Sequence, residues 1–573
     1  MQNIPKHLKK YIVNQDYSKY TPIDQSTWRF IMKISISFFS KNAHRTYLKG
    51  LEKTGITLNQ IPKINSINKK LQNFGWSAIC VRGFIPPNAF MEFQSLKILP
   101  IAADMRSHNH LTYTPSPDIV HEAAGHAPII ANRDYSRYLI SYGEIASKAI
   151  MSAEDMSLYY AIRNLSDIKE RSNVSKQKIT HYEQELKKAY KNISYLSESA
   201  LLSRMNWWTV EYGLVGNIKN PKIYGAGLLS SVAESENCLN KDVKKIPFSL
   251  QCINYNYDIT EQQPQLFVTP NFKYLTRILK KLSEKMSYKI GGKYGLDTAI
   301  KAKTVCTIEI DNQIQISGIL DSYINKKNKV LFIKTIGPSQ LCFKNKEIYG
   351  HNLKYHKDGY SSPIGKLRKY NKTINQLSLI ERKNLNLKKN KQIKLYFKSN
   401  ISVEGTISKI IIRNSKIILI AFINCTVKHK NTILFKPEWG NYDMICGEII
   451  TSVYGGPADK KNYYLLSDDE DRYLKYNKKI QSQKNIRLNA LHKKINLLKN
   501  KKNSFNQIEK IYLNAKQNFN NEWLIFYEIL EISLNIKEAY WINSIIKKLY
   551  KIIEKNNDLS HAIKRGLDLL LLK

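Results

Sequence analysis

The feature that most constrains this chain is a double change in the spacing of its apolar residues. Up to about residue 290, runs such as Tyr138–Ile150 and Tyr182–Tyr195 set apolar side chains three and four apart, as one face of a helix requires. From about 300 to 450 the apolar runs become short and β-rich (TVCTIEI, KVLFIKTI, QIKLYF, IILIAFI), with Asn, Lys and Gly turns between them. From about 465 a Lys-rich helical pattern returns and ends in SIIKKLYKIIEK and a Leu-rich tail. A helical region, a β-rich region and a second helical region are therefore expected in that order. The 573 residues allow roughly three or four domains.

The β-rich region repeats itself. Thr307–Ile310 aligns with Lys394–Phe397, Gly318 with Gly405, and Lys329–Ile333 with Lys416–Ile420, each pair 87 residues apart. Phe343-Lys344 and Phe435-Lys436 close the two units at an offset of 92. The pattern predicts two tandem copies of a small β-meander or barrel. Neither copy reads as holding a His/Cys/Asp/Glu cluster at metal spacing or a Gly-rich phosphate loop.

Charge is the next constraint. The formal net charge is +43, which invites a nucleic-acid reading. Its distribution argues otherwise: residues 91–240 are neutral overall and 301–500 carry +23. The excess is mostly Lys, amid much Asn and Ile, and all three share AT-rich codons. Base composition therefore accounts for the charge, and no nucleic-acid partner is expected. A basic polyanion-binding protein with a vestigial enzyme half is kept as the distant alternative. The first twenty residues hold no apolar h-region, so no signal peptide is read. The most apolar run, 410–423, is broken by Arg413, Asn414 and Lys416, so no membrane span is expected. Seven scattered cysteines without a CxxC pair point to reduced thiols and a cytoplasmic protein.

The neutral stretch carries the chemistry. TPSPDIVHEAAGHAPII (114–130) holds His121 and His126 with Glu122 between them. Zinc proteases place two histidines four apart on one helix face. Here they are five apart, about 140° on a straight helix, so one metal can take both only near a helix end or a distortion. Gly125 is the residue that offers one. In NWWTVEYGLVGNIKNPKIYGAGLLSSVAE (206–234), Glu211 lies in an aromatic, apolar run, where a carboxylate must be paired or metal-bound. Each of these residues alone reads as a satisfied core group. Two His and a carboxylate together match the facial triad of non-heme Fe(II) oxygenases.

These segments resemble the biopterin-dependent aromatic amino acid hydroxylases, the family of phenylalanine, tyrosine and tryptophan hydroxylases. The family pattern TPEPDxxHExxGHxP is matched except at Ser116, and TVEFGL…YGAGLLSSxxE except at Tyr212. GWSAICVRGFIPPNAFMEFQ (75–94) is similar to the family's pterin loop, closest to bacterial members, and YNYDITEQQPQLFV (255–268) to the end of its core. The resemblance implies a mainly α catalytic domain over 25–295, after an N-terminal segment 1–24. Tandem β modules over 300–460 and a basic helical region over 465–573 complete the division. It further implies Fe(II), a tetrahydropterin and O₂, with ring hydroxylation of a free aromatic amino acid, L-phenylalanine first and tyrosine or tryptophan as alternatives.

The same resemblance assigns roles. His121, His126 and Glu211 would hold iron. Gly83, Ile85, Phe90 and Glu122 would meet the pterin, with Phe90 stacked on its ring. Arg106 would clamp the substrate carboxylate in a bidentate pair, supported by Thr114 and Ser230. Pro117 and Trp207 would line the ring pocket. The chain departs from the family in three ways. The gap from His126 to Glu211 is 85 residues, read as a helical hairpin inserted at about 166–192. Asn206 stands where the family often has Tyr. No regulatory domain precedes the core, and the region after 290 matches nothing in the animal enzymes. The second half reads as an accessory assembly for oligomerisation, docking or core support, so a fragment ending near Lys301 is expected to keep iron and some activity.

Overall fold

The computed structural model describes residues 4–81, 83–109, 111, 117–169, 174–259, 261–311, 313–466, 482–499, 505–534, 536, 539–555 and 557–572. The helix Pro22–Asn42 organises the first half. Thr21 and Asp24 form a reciprocal capping box at its start, and Pro22 opens its first turn, where no backbone donor is needed. It buries Trp28, Phe30, Ile31, Ile34 and Phe39. Further along, Arg133–Ala146 packs on Pro87–Ser95 and Phe272–Ser283. Two small sheets complete this region. Strands β1 (Ser77–Val81) and β2 (Ile98–Ala102) pair in parallel. Strands β3 (Leu214–Asn217), β4 (Asn220–Ile223), β5 (Lys244–Pro247) and β6 (Gln265–Thr269) form a sheet in the order β4-β3-β6-β5.

The helical hairpin begins earlier than its charge pattern suggests. It comprises Ala153–Lys169 and Lys176–Lys191, packed on each other.

The β-rich region holds two meanders. The first is β7 (Val305–Ile310), β8 (Ile314–Lys326), β9 (Lys329–Phe343) and β10 (Lys346–Glu347), with β11 (Gly359–Pro363) returning along β9. The second is β12 (Gln392–Tyr396), β13 (Ile401–Arg413), β14 (Lys416–His429) and β15 (Thr432–Phe435), with β16 (Tyr442–Ile445) returning along β14. Strand β17 (Ile450–Gly455) then crosses back to pair with β7 of the first meander. The long hairpins turn through Lys327-Asn328 and Asn414-Ser415, all four with positive φ. Two consecutive left-handed residues match the twist of the strands they join. Two apolar clusters fill the region and cross between the meanders: one joins first-meander residues to Ile411, Ile418, Leu419 and Ile445 of the second, and the other joins second-meander residues to Phe332 of the first.

The second helical region does not stand apart. Leu488, Leu491, Ile495, Trp523, Tyr527, Ile563 and Leu567 belong to the same buried cluster as Trp28, Phe30 and Ile34. The polar seam is equally closed. Glu528 is buried and accepts hydrogen bonds from Ser26, Arg29 and His492, with the Lys499 ammonium 3.5 Å away. Trp523 Nε1 donates to the His108 carbonyl. This packing bears on the expected fragment ending near Lys301: removing the last helices would expose large apolar side chains of the first one. Among the described residues no helix is long and apolar enough to cross a membrane.

Candidate active site

Residues Val120–His126 form a π-helix. Its wider turn, bonded from i to i+5, brings residues five apart onto one side, which an α-turn would not. His121 Nε2 and His126 Nε2 are consequently 3.1 Å apart. A second π-turn, Trp207–Glu211, is closed by Tyr212 N–H donating to the Trp207 carbonyl, and it delivers Glu211. Glu211 Oε2 lies 3.4 Å from His121 Nε2, and Oε1 lies 3.6 Å from His126 Nε2. The two turns meet through the helix Ala226–Ser230, and glycine makes the approach possible. A Cβ on Gly125 would stand 2.8 Å from the Ala226 carbonyl oxygen, and one on Gly225 would stand 2.4 Å from that of Glu211. The distortion the sequence attributes to Gly125 thus belongs to the whole π-turn. Gly125 supplies clearance.

The donor set fits a divalent cation. Burial pushes the Glu211 carboxyl up to about 8 and His121 down to about 3, and it lowers His126 as well. Two neutral imidazoles and a carboxylate that burial keeps from ionising are stable together when a cation offsets the charge. Glu122 is buried beside them, and its Oε2 has no hydrogen-bond partner among the described residues. Burial, then the nearby Glu211 and Asp118 charges, raise the Glu122 carboxyl well above its usual range.

Ser230 stands behind His121. Its hydroxyl donates to the Ala226 carbonyl at 2.8 Å, and His121 Nδ1 lies 2.9 Å from the same oxygen. With its proton committed, Ser230 accepts the Nδ1–H of His121, which leaves the Nε2 lone pair facing Glu211 and His126.

Arg106 is also engaged within the chain. Its Nε and Nη2 reach the two oxygens of Asp118 at 2.7 and 2.8 Å, and its Nη1 donates to the carbonyls of Ser230 and Leu111. A bidentate pair is thus made with Asp118, and one Nη2–H of the fork is left over. Asp118 Oδ1 also caps the His121 N–H at 3.0 Å. Sequence reasoning passed over Asp118, the acid that ends the TPSPD segment, three residues before His121.

The remaining candidates fall around this centre unevenly. Ile85 is buried and Phe90 half-buried in one small cluster with Leu8, Tyr11 and Phe93. Gly83 has φ of 55°, a left-handed conformation that glycine adopts freely. Trp207 is sandwiched between Tyr212 and Tyr257, both ring centroids 4.4 Å away, so it can offer a ligand only an edge. Pro117 is half-buried, and Asn206 ends the helix that leads into the Glu211 turn. Thr114 and Ser116 lie outside the described residues.

A family model of biopterin-dependent aromatic amino acid hydroxylases matches residues 8–162 and 173–331. Its gap falls at the tip of the helical hairpin. The phenylalanine-4-hydroxylase of Mesorhizobium japonicum is 28% identical over 266 residues, covering 46% of this chain and 80% of that protein. That of Chromobacterium violaceum is 28% identical over 268 residues, covering 46% and 75%. The crystal structure of Chromobacterium violaceum phenylalanine hydroxylase with bound oxidized Fe(III) aligns at 25% identity and a TM-score of 0.38, covering 48% of this chain and 86% of that one. The chain belongs to the biopterin-dependent aromatic amino acid hydroxylases, monooxygenases that work with iron, a tetrahydropterin and O₂.

Proposed function

We propose that this enzyme hydroxylates free L-phenylalanine to L-tyrosine. The observation that carries the reading is the convergence of His121, His126 and Glu211, with nitrogen and oxygen donors 3.1 to 3.6 Å apart. The phenylalanine-4-hydroxylase names of its relatives supply the choice of ring. His121, His126 and Glu211 would hold Fe(II). When bound, iron supplies a redox-active centre with open positions for O₂ beside the reduced pterin.

The chain's own groups orient and dry that centre. Ser230 fixes the His121 tautomer, and Asp118 fixes both Arg106 and the first turn of the π-helix. Arg106 offers its remaining Nη2–H and its charge to the amino acid carboxylate. Gly83, Ile85 and Phe90 receive the pterin, and the unpartnered oxygen of Glu122 is available to a donor on it. Pro117 and the edge of Trp207 border the ring pocket. The division of the chain follows: a catalytic domain over 25–295, then two tandem β modules within 300–460, whose first three strands start 87 residues apart. The helical region from 465 supports the core.

The test supplies Fe(II), a tetrahydropterin, O₂ and each aromatic amino acid separately, with products identified by mass. Tyrosine formed from phenylalanine, at a higher kcat/KM than any product from tyrosine or tryptophan, is the expected result. Preferential turnover of another ring moves the assignment to that substrate.

A further inference from the structure

A second group of metal-binding side chains lies in the β-rich region, where the sequence suggested none. His351, His356 and Asp443 are all buried, and their donor atoms converge. His351 Nδ1 is 3.2 Å from His356 Nε2, and Asp443 Oδ2 is 3.7 and 3.9 Å from those nitrogens. The point equidistant from the three atoms lies about 2.1 Å from each, the ordinary Zn–N and Zn–O bond length.

A simple hydrogen-bonded network explains this arrangement poorly. The two imidazoles can share one N–H, but both contacts to Asp443 are too long to be hydrogen bonds. Asp443 Oδ1 is buried and has no hydrogen-bond partner among the described residues. Leaving that buried oxygen without a donor is costly.

The backbone holds the donors in place. The His351 and His356 carbonyls accept hydrogen bonds from Leu341 and Ser339 on β9, and the Asn352 side chain caps the turn between them. Asp443 comes from β16, in register with Ala421 of β14 in the second meander. The histidines precede β11, which packs on β16. The group therefore sits where the first meander meets the second.

We propose that His351, His356 and Asp443 bind a divalent first-row transition metal ion, Zn²⁺ by preference, that ties the two β meanders together. Two imidazoles and one carboxylate suit Zn²⁺, and the fourth position is left for water. The site is built from residues that the hydroxylation reaction does not use. It stands or falls independently of the iron assignment.

The test uses the full-length chain, stripped of metal with a chelator and titrated with Co²⁺. Bound ions are counted by atomic absorption, and the visible spectrum reports four-coordinate cobalt. The His126→Ala variant, which breaks the first centre, is expected to retain one Co²⁺ with a four-coordinate spectrum. The His356→Ala and Asp443→Asn variants are expected to lose that ion and that spectrum. Added Zn²⁺ should raise the melting temperature of His126→Ala and leave that of Asp443→Asn unmoved. If His126→Ala binds no ion and gains no stability from Zn²⁺, the proposal is overturned. That outcome can be read even if the β-region variants fail to fold.

Discussion

At the scale of single residues, the Ser230 hydroxyl decides which nitrogen of His121 keeps its lone pair, because it is already donating to Ala226. Ser230→Ala removes that constraint without adding bulk. Metal affinity should fall roughly 10- to 100-fold, as for other groups that orient a ligand from behind. A chelator-competition titration measures it, and unchanged affinity would show that the tautomer is fixed by something else. Asp118 has a comparable hold on Arg106. Asp118→Asn leaves a buried guanidinium facing a neutral amide and should cost about 3 kcal/mol of stability, with KM for the amino acid raised. Denaturant unfolding and steady-state kinetics separate the two effects, and a change in neither would show that Arg106 is held in place without the Asp118 charge. The converging His121, His126 and Glu211 are legible in the sequence because their residue types and order are unusual in an apolar setting. The partners of Arg106 and His121 are not. Asp118 is 12 residues from Arg106 and Ser230 is 109 from His121, and only the fold brings them to hydrogen-bond distance.

At the scale of elements, the two π-turns carry the site. The five-residue spacing of the histidines shows in the sequence that a regular α-helix cannot serve both. It does not show which distortion occurs, because π-bonding depends on the segment packed against the turn. That segment is 226–230, and Gly125 is where it comes closest. Gly125→Ala would drive a Cβ to 2.8 Å from the Ala226 oxygen and 3.2 Å from its Cβ, both part of closely packed backbone and core. Relief requires the two segments to separate, at a cost of about 1–3 kcal/mol. Iron retention should fall in step, since His126 and Ser230 lie on opposite sides of the seam. Metal content and melting temperature measured together test this, and full iron occupancy with normal stability would mean the turns have slack. The β strands were more legible. Their starts at 305, 314 and 329 recur at 392, 401 and 416, and in each copy a two-residue turn fixes the register of the long hairpin. The return of β17 to the first sheet has no such local signal.

At the scale of the whole molecule, the chain's two ends close one core, and this was the least legible feature. The amphipathic patterns of Pro22–Asn42 and of the last helices each announce a buried face, but a pattern does not name its partner. Glu528 reports on that closure. Burial alone would raise its carboxyl, but the hydrogen bond from His492 and the charges of His492, Lys499 and Arg29 outweigh burial and hold it at about 2. A carboxyl held below its unfolded value contributes stability that is full above about pH 4.5 and is lost as pH falls toward 2, on the order of 3 kcal/mol here. Glu528→Gln should therefore unfold more easily at neutral pH and show a flatter loss of stability between pH 5 and 2. Truncation near Lys301 acts on the same seam more severely, because it strips the cover from Trp28, Phe30 and Ile34. The fragment should aggregate or bind a hydrophobic dye, and it should melt well below the full chain. The full-length Glu528→Gln variant should keep its iron while losing stability. Light scattering, dye fluorescence and metal content on both proteins make the comparison. A monomeric fragment with full iron and an undiminished melting temperature would mean that the last helices only rest on a core complete without them.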